Sequence, residues 1–299
     1  MHKSFARMIV VLLLGILFVS PAVATKIKHR GSVYVDKAGS SLNRPEGVAC
    51  GEKYFIVADT GNNQMVRYSM TDQSLTPEGT FPLPKISPMI TQISTKGDIY
   101  ILDGKTRTIV KMGQSGQIIG KVEPKGIPGS KTYMSRSFKL DKKGNLYLLD
   151  IFSERVLVLD AAEKYVRHVP FPEGSSSFSD LAISDQGSIY ILDGVAGAIY
   201  VSNPGADSFE LLSSNLKEHM NFPTNLAIDS NGTLYLSDQY GSGLALVGRD
   251  GSFQGRKFGM GWEEGQLYYP AQLCINKQDV LFIADKNNSR VQVFSILNE

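Results

Sequence analysis

LAIDSNGTLYLSD (residues 226–238) reads as a strand, a tight polar turn and a second strand that ends in an acid. Gly232 supplies the permissive φ that such a turn needs. The pattern returns as LAISDQGSIYILD (181–193), FKLDKKGNLYLLD (138–150) and LCINKQDVLFIAD (273–285). Two less regular copies are TQISTKGDIYILD (91–103) and VACGEKYFIVAD (48–59). Their closing residues, Asp59, Asp103, Asp150, Asp193, Asp238 and Asp285, are spaced by 44, 47, 43, 45 and 47 positions. That period is the length of a four-stranded propeller blade.

Three template positions have physical reasons. Gly97, Gly144, Gly187 and Gly232 lie six residues before the acid, where the hairpin turns. Tyr100, Tyr147, Tyr190, Tyr235 and Phe282 lie three before it and can pack between blades. The Asp ends its strand, where its carboxylate can accept backbone N–H groups of the next turn, and sixfold repetition argues for a structural role. The expected fold is all-β: one six-bladed propeller of four-stranded antiparallel blades over residues 25–299, with repeats near 45–70, 88–120, 133–169, 178–212, 222–258 and 269–296.

Working outward, residues 1–24 differ from the rest. Lys3 and Arg7 precede an apolar run from Met8 to Val19, and Ala22-Val23-Ala24 offers small residues for cleavage, which reads as a secretory signal. The expected location is the periplasm or the extracellular space. Of 31 Lys+Arg and 29 Asp+Glu, the signal holds only cations, so the remainder is neutral. A neutral surface excludes a nucleic-acid partner, since phosphate backbones demand many basic contacts. No second apolar run could span a bilayer, so no membrane insertion is expected after signal removal.

Two stretches carry a family resemblance: Pro45-Glu46-Gly47-Val48 followed by Ala58-Asp59-Thr60-Gly61-Asn62-Asn63-Gln64-Met65-Val66, and residues 283–294, IADKNNSRVQVF. With the glycine-rich linker 259–270, GMGWEEGQLYYP, they resemble the NHL-repeat family of six-bladed propellers over residues 45–296. Repeats two and four depart from it, with Gly104-Lys105-Thr106-Arg107 and Gly194-Val195-Ala196-Gly197 in place of the Asn-rich turn.

The last repeat has three strands, so its blade needs a fourth. Residues 27–36 have a β pattern and are expected to pair with it, leaving no long unpaired edge. Cys50 and Cys274 lie in the inner strands of the first and last repeats, which become neighbours on closure. A disulfide across the seam is one reading. Two packed small hydrophobes is the other and the preferred one, because bridged Cα atoms must come within about 7 Å.

Function is expected on the loops, which a rigid scaffold positions for binding. The links between blades and the turns between second and third strands emerge on one face. That face would collect Asn62, Asn63, Lys105, Arg107, Glu154, Arg155, His219, Tyr240, Trp262, Tyr268, Tyr269, Asn287, Asn288 and Arg290. Trp262 either anchors an interface or packs inside its linker, the latter being preferred. The central mouth would be lined, two residues before each inner strand, by Glu46, Met89, Arg136, Ser179, Thr224 and Ala271. One residue before, the series is Gly47, Ile90, Ser137, Asp180, Asn225 and Gln272.

These positions were weighed against known chemistries. Lactonase-type propellers such as gluconolactonase hold Ca2+ with several converging oxygens; Glu46, Asp180 and Asn225 would be the ligands here, and Arg136 opposes a cation. Amidating lyases, which resemble NHL proteins, hold zinc with histidines in Pro-His-x-Leu. The corresponding pairs here are Pro45-Glu46, Pro223-Thr224 and Pro270-Ala271, while His29, His168 and His219 lie elsewhere. No Gly-x-Ser-x-Gly elbow or phosphate-cradling loop is present. The resulting expectation is a non-catalytic exported scaffold without a cofactor, a monomer or a subunit of an envelope complex. Its partner would be a protein, peptide or glycan, engaged through Glu46, Arg136, Asp180, Asn225, Gln272, Tyr240, Trp262 and Tyr268. The alternative is a calcium- or zinc-dependent hydrolase, lactonase or lyase at the pore.

Overall fold

A computed structural model describes residues 25–128, 132–175 and 177–297. The signal-sequence reading of residues 1–24 lies outside the described residues. Strand β1 (Lys26–Val33) precedes six repeats. Blade 1 holds β2 (Gly47–Cys50), β3 (Tyr54–Asp59), β4 (Gln64–Met70) and β5 (Leu75–Pro82); blade 2 holds β6 (Pro88–Ile93), β7 (Ile99–Asp103), β8 (Ile109–Met112) and β9 (Ile118–Lys121). Blade 3 comprises β10 (Ser135–Leu140), β11 (Leu146–Asp150), β12 (Arg155–Leu159) and β13 (Tyr165–Pro170), and blade 4 comprises β14 (Phe178–Ile183), β15 (Ile189–Asp193), β16 (Ala198–Ser202) and β17 (Glu210–Ser213). Blade 5 is β18 (Pro223–Ile228), β19 (Leu234–Asp238), β20 (Gly243–Val247) and β21 (Phe253–Lys257). Blade 6 contains β22 (Pro270–Ile275), β23 (Val280–Asp285) and β24 (Arg290–Leu297), with β1 as its outer strand in the order β1-β24-β23-β22.

The closing strand is therefore where the missing fourth strand required it. β1 runs antiparallel to β24 from Lys26 opposite Leu297 to Val33 opposite Val291, with one bulge between His29 and Gly31. Every sheet is antiparallel and consecutive in sequence apart from this closure.

The core is divided among the junctions between blades. Tyr147 belongs to a cluster with Phe178 and Leu181 of blade 4, Tyr190 with Leu226 and Leu234 of blade 5, and Tyr235 with Leu273 and Leu281 of blade 6. Phe282 meets Phe55 of blade 1 with ring centroids 5.0 Å apart. The repeated aromatic thus fills the wedge between one blade and the next, and its burial stabilises the ring by about 1.5–3 kcal/mol per side chain.

The seam is also covalent. Cys50 and Cys274 form a disulfide with Cα atoms 6.0 Å apart. The preferred reading of two packed thiols is corrected: β2 and β22 approach more closely than adjacent inner strands were expected to. The other side of β2 is as close to its neighbour, since a Cβ at Gly47 would run into the carbonyl oxygen of Met89 on blade 2. Glycine is required where two inner strands come this close.

Candidate functional site: the loop face and channel mouth

Each repeat aspartate organises the loop face. Asp59 accepts the N–H of Asn43, Asp103 that of Ser87, Asp150 that of Met134, Asp238 that of Phe222 and Asp285 that of Tyr268. The donor lies sixteen or seventeen residues earlier, in the linker entering the blade. The other bonds go to the following turn, as from Lys105, Phe152 and Val195 N–H groups. Five of the acids therefore tie linker to turn, Asp193 holds its own turn, and all six are buried. Four residues after each Asp the chain turns left-handed, at Asn63, Arg107, Glu154, Gly197, Ser242 and Ser289, with φ between 48° and 66°. The rule holds in repeats two and four although their turn sequences depart from the Asn-rich pattern.

Two residues expected on the exposed face lie inside it. Arg155 is 8% exposed and bonds Asp150, and Arg290 is 2% exposed. Arg290 donates to Asp285 at 2.7 Å and to the carbonyls of Trp262, Glu263 and Gln266 at 2.8–2.9 Å. With Gln292, which donates to the Gln266 carbonyl at 2.6 Å, it clips the linker before β22 to the last blade. Trp262, held there by its backbone, is 77% exposed. The preferred reading of an indole packed inside the linker is corrected.

The residues one before each inner strand form a girdle within the ring. Asp180 is fully buried; it accepts a hydrogen bond from Ser137 Oγ on blade 3 and one from the Leu226 N–H on blade 5 at 2.8 Å. Lys139 Nζ lies 3.5 Å from the same carboxylate. Asn225 accepts the Leu273 N–H at 2.8 Å, joining blade 5 to blade 6. Gln272 reaches from blade 6 to the Val48 N–H and to both the N–H and the carbonyl of Thr91. Asp180, Asn225 and Gln272, read from sequence as lining the mouth, join blades instead. A bulge at the start of the inner strands, between Phe178 and Asp180, Pro223 and Asn225, and Pro270 and Leu273, places them inward.

In the outer ring Glu46, Met89, Arg136, Thr224 and Ala271 are half-buried and Ser179 is buried. Glu46 pairs with Lys286 Nζ at 2.7 Å. Thr224 Oγ1 meets Ser237 Oγ at 3.2 Å, and Ser179 Oγ donates to the Leu192 carbonyl at 3.3 Å. Arg136 is half-buried and forms no hydrogen bond or ion pair among the described residues. Burial, followed by the guanidinium of Arg107, holds Arg136 below the usual arginine value, and Asp180 opposes them. Around this mouth stand exposed aromatics: Tyr240, 53% exposed, contacts Phe222 and Tyr269 with centroids 5.1 and 5.2 Å apart, and Tyr268 is 41% exposed.

The proposed calcium donors do not fit a cation. Glu46 is neutralised by Lys286, the oxygens of Asp180 are occupied, and Asn225 uses its oxygen on Leu273. Among the described residues no three His, Cys, Asp or Glu side chains converge. His29 bonds Ser32, His168 bonds Tyr165, and His219 stacks on Phe253, each away from the channel. The channel's opposite end widens into a cavity of about 510 Å³ lined by Lys139, Asp185, Asp229 and Asn276 among others.

The family model for the NHL repeat matches residues 267–294, from the last linker into β24. The chain is a six-bladed propeller carrying the NHL repeat. No curated protein sequence matches it. Among solved structures it is similar to virginiamycin B lyase from Staphylococcus aureus, at 12% identity and a TM-score of 0.61, covering 91% of this chain and 100% of that one. It is also similar to a gluconolactonase from Xanthomonas campestris, at 12% identity and a TM-score of 0.66 over 91% and 90% of the two chains. A protein of unknown function from Bacteroides thetaiotaomicron aligns at 15% identity and a TM-score of 0.67 over 92% and 76%. At these identities the likeness is one of fold.

Proposed function

We propose that the chain is an exported, non-catalytic binding propeller that holds a protein or peptide partner on its loop face. The carrying observation is the distribution of exposed apolar side chains. Met134, Phe152, Val195, Tyr240, Met260, Trp262 and Tyr268 all stand in linkers or second-to-third-strand turns. Among the described residues, none of the large exposed apolar side chains falls in the turns of the opposite face. A patch rimmed by polar groups and carried on clamped loops is what an interface needs, and rigid aromatics are its usual anchors.

Partners recovered from the envelope fraction and identified by mass spectrometry supply the ligand for titration calorimetry. The double variant Trp262→Ala/Tyr240→Ala is expected to bind at least about 30-fold more weakly, the equivalent of a 2 kcal/mol hot spot. Its melting temperature should stay within about 2 °C of wild type, because exposed side chains away from the core contribute little. Unchanged affinity would remove the loop face from consideration.

A second reading, a hydrolase or lyase acting in the channel, draws support from the cavity of about 510 Å³, a volume typical of small-molecule sites. The names of the lyase and the gluconolactonase neighbours point the same way. It lacks a donor set for a metal and a histidine at the channel. Turnover of a lactone by purified protein, lost on changing a residue lining that cavity, would replace the binding reading.

A further inference from the structure

The mouth of the channel is not electrically uniform. On blades 6 and 1 the charges cancel, with Lys286 on Glu46. On blades 4 and 5 the groups are hydroxyls engaged with one another or with carbonyls. Blades 2 and 3 differ: Arg107 and Arg136 are both half-buried on neighbouring blades, and the positive charge of Arg107 acts on Arg136. Arg107 makes one side-chain contact, its Nη1 lying 4.0 Å from the sulfur of Met89. Arg136 makes none. Asp180, the acid whose charge opposes that of Arg107 at Arg136, is occupied by Ser137, Leu226 and Lys139. Two neighbouring guanidiniums, partly withdrawn from water and unpaired, cost free energy that an incoming anion would recover.

On the blade 3 loops stand two apolar side chains, Met134, two residues before Arg136, and Phe152, in the turn after β11, 44% and 57% exposed. Both backbones are hooked by the same oxygen of Asp150, and Ile151 N–H donates to the Met134 carbonyl at 3.0 Å, so the two loops are tied to each other at the entrance of the strand that carries Arg136. We infer that Arg107 and Arg136 form a carboxylate-recognition site for an acidic peptide segment whose neighbouring apolar side chain rests on Met134 and Phe152. The inference rests on the loop-face reading and specifies the partner's chemistry. A planar guanidinium suits a carboxylate because it can donate two parallel hydrogen bonds, and the apolar shelf rejects an anion without a hydrophobic neighbour.

The test uses an array of immobilised peptides in which Asp or Glu stands next to Leu, Phe or Met, paired with copies bearing Asn or Gln. Purified protein is expected to be retained by the acidic peptides and not by their amide copies. The variant Arg107→Gln/Arg136→Gln should bind the retained peptides at least tenfold more weakly in solution, and Arg107→Lys/Arg136→Lys should fall between. Among the described residues the Arg136 side chain bonds nothing and that of Arg107 meets only the Met89 sulfur, so both variants should melt as wild type does; a variant that melts lower is replaced by the single change Arg136→Gln, with the same expected direction. Equal binding of amide peptides, no retention of any acidic peptide, or protection by inorganic phosphate alone would overturn the inference. If the arginine variants bind as wild type while Trp262→Ala/Tyr240→Ala does not, the carboxylate site fails and the loop-face reading stands. If neither set of variants matters, both fail.

Discussion

Deletion of residues 25–37 is expected to lower the melting temperature by about 10–20 °C or to abolish cooperative folding. The segment contributes β1, the outer strand of the last blade, and its removal exposes the whole pairing edge of β24 from Val291 to Leu297. It also removes Val33, 5% exposed in the cluster shared by blades 6 and 1, and the hydroxyl of Tyr34 that Arg290 donates to at 3.2 Å. Tyr68 loses the Val35 carbonyl that accepts its hydroxyl at 2.7 Å. Each buried apolar side chain lost is worth about 1.5–3 kcal/mol and each stranded polar group about 1–3 kcal/mol. For a domain of this size 1 kcal/mol corresponds to about 2–4 °C, so several such losses give the stated range. Calorimetry of the truncated chain checks it. A transition unchanged from wild type would mean that the ring closes without this strand.

The second large effect belongs to Asp180. Asp180→Ala is expected to cost about 3–5 kcal/mol, because it strands the Lys139 ammonium, the Leu226 N–H and the Ser137 hydroxyl inside the ring. Asp180→Asn keeps an acceptor for Leu226 while removing the charge opposite Lys139, so its loss should be smaller. Denaturant unfolding of the two variants measures the order. A catalytic or metal-binding carboxylate would give the reverse pattern, little loss of stability together with loss of turnover. The experiment therefore separates a girdle from an active site at the same residue.

Sequence periodicity carried the architecture a long way, for reasons visible in single residues. Gly97, Gly144, Gly187 and Gly232 take φ of 84°, 83°, 92° and 87°, the left-handed values their turns require. Local rules of this kind act over a few residues and are readable from one repeat. The acid's second task was hidden, because the linker N–H that it accepts lies sixteen or seventeen residues away, on a residue whose type differs from repeat to repeat, as Asn43, Ser87, Met134, Phe222 and Tyr268 do. The inward turn of the second series of mouth positions was hidden for a related reason. A bulge shifts the register at the inner strand, so Asp180, Asn225 and Gln272 turn inward while Glu46, Arg136 and Thr224 remain at the opening. Bulges leave little mark in a single sequence. Arg155 and Arg290 looked like face residues because they follow exposed turns, yet each is drawn inside by the repeat acid five residues before it. The neighbouring placement of Arg107 and Arg136 needed the ring itself, which brings residues 29 positions apart onto adjacent blades.

The proposed binding through the loop face is best tested where its partner is present. Photo-reactive side chains placed singly at Phe152, Tyr240 and Trp262, and on the opposite face at Lys142, Gln186 and Asn231, test it in the native envelope. One and the same protein adduct is expected from the three loop-face positions and none from the other three. Adducts confined to Lys142, Gln186 or Asn231, or none from any loop-face position, would contradict it.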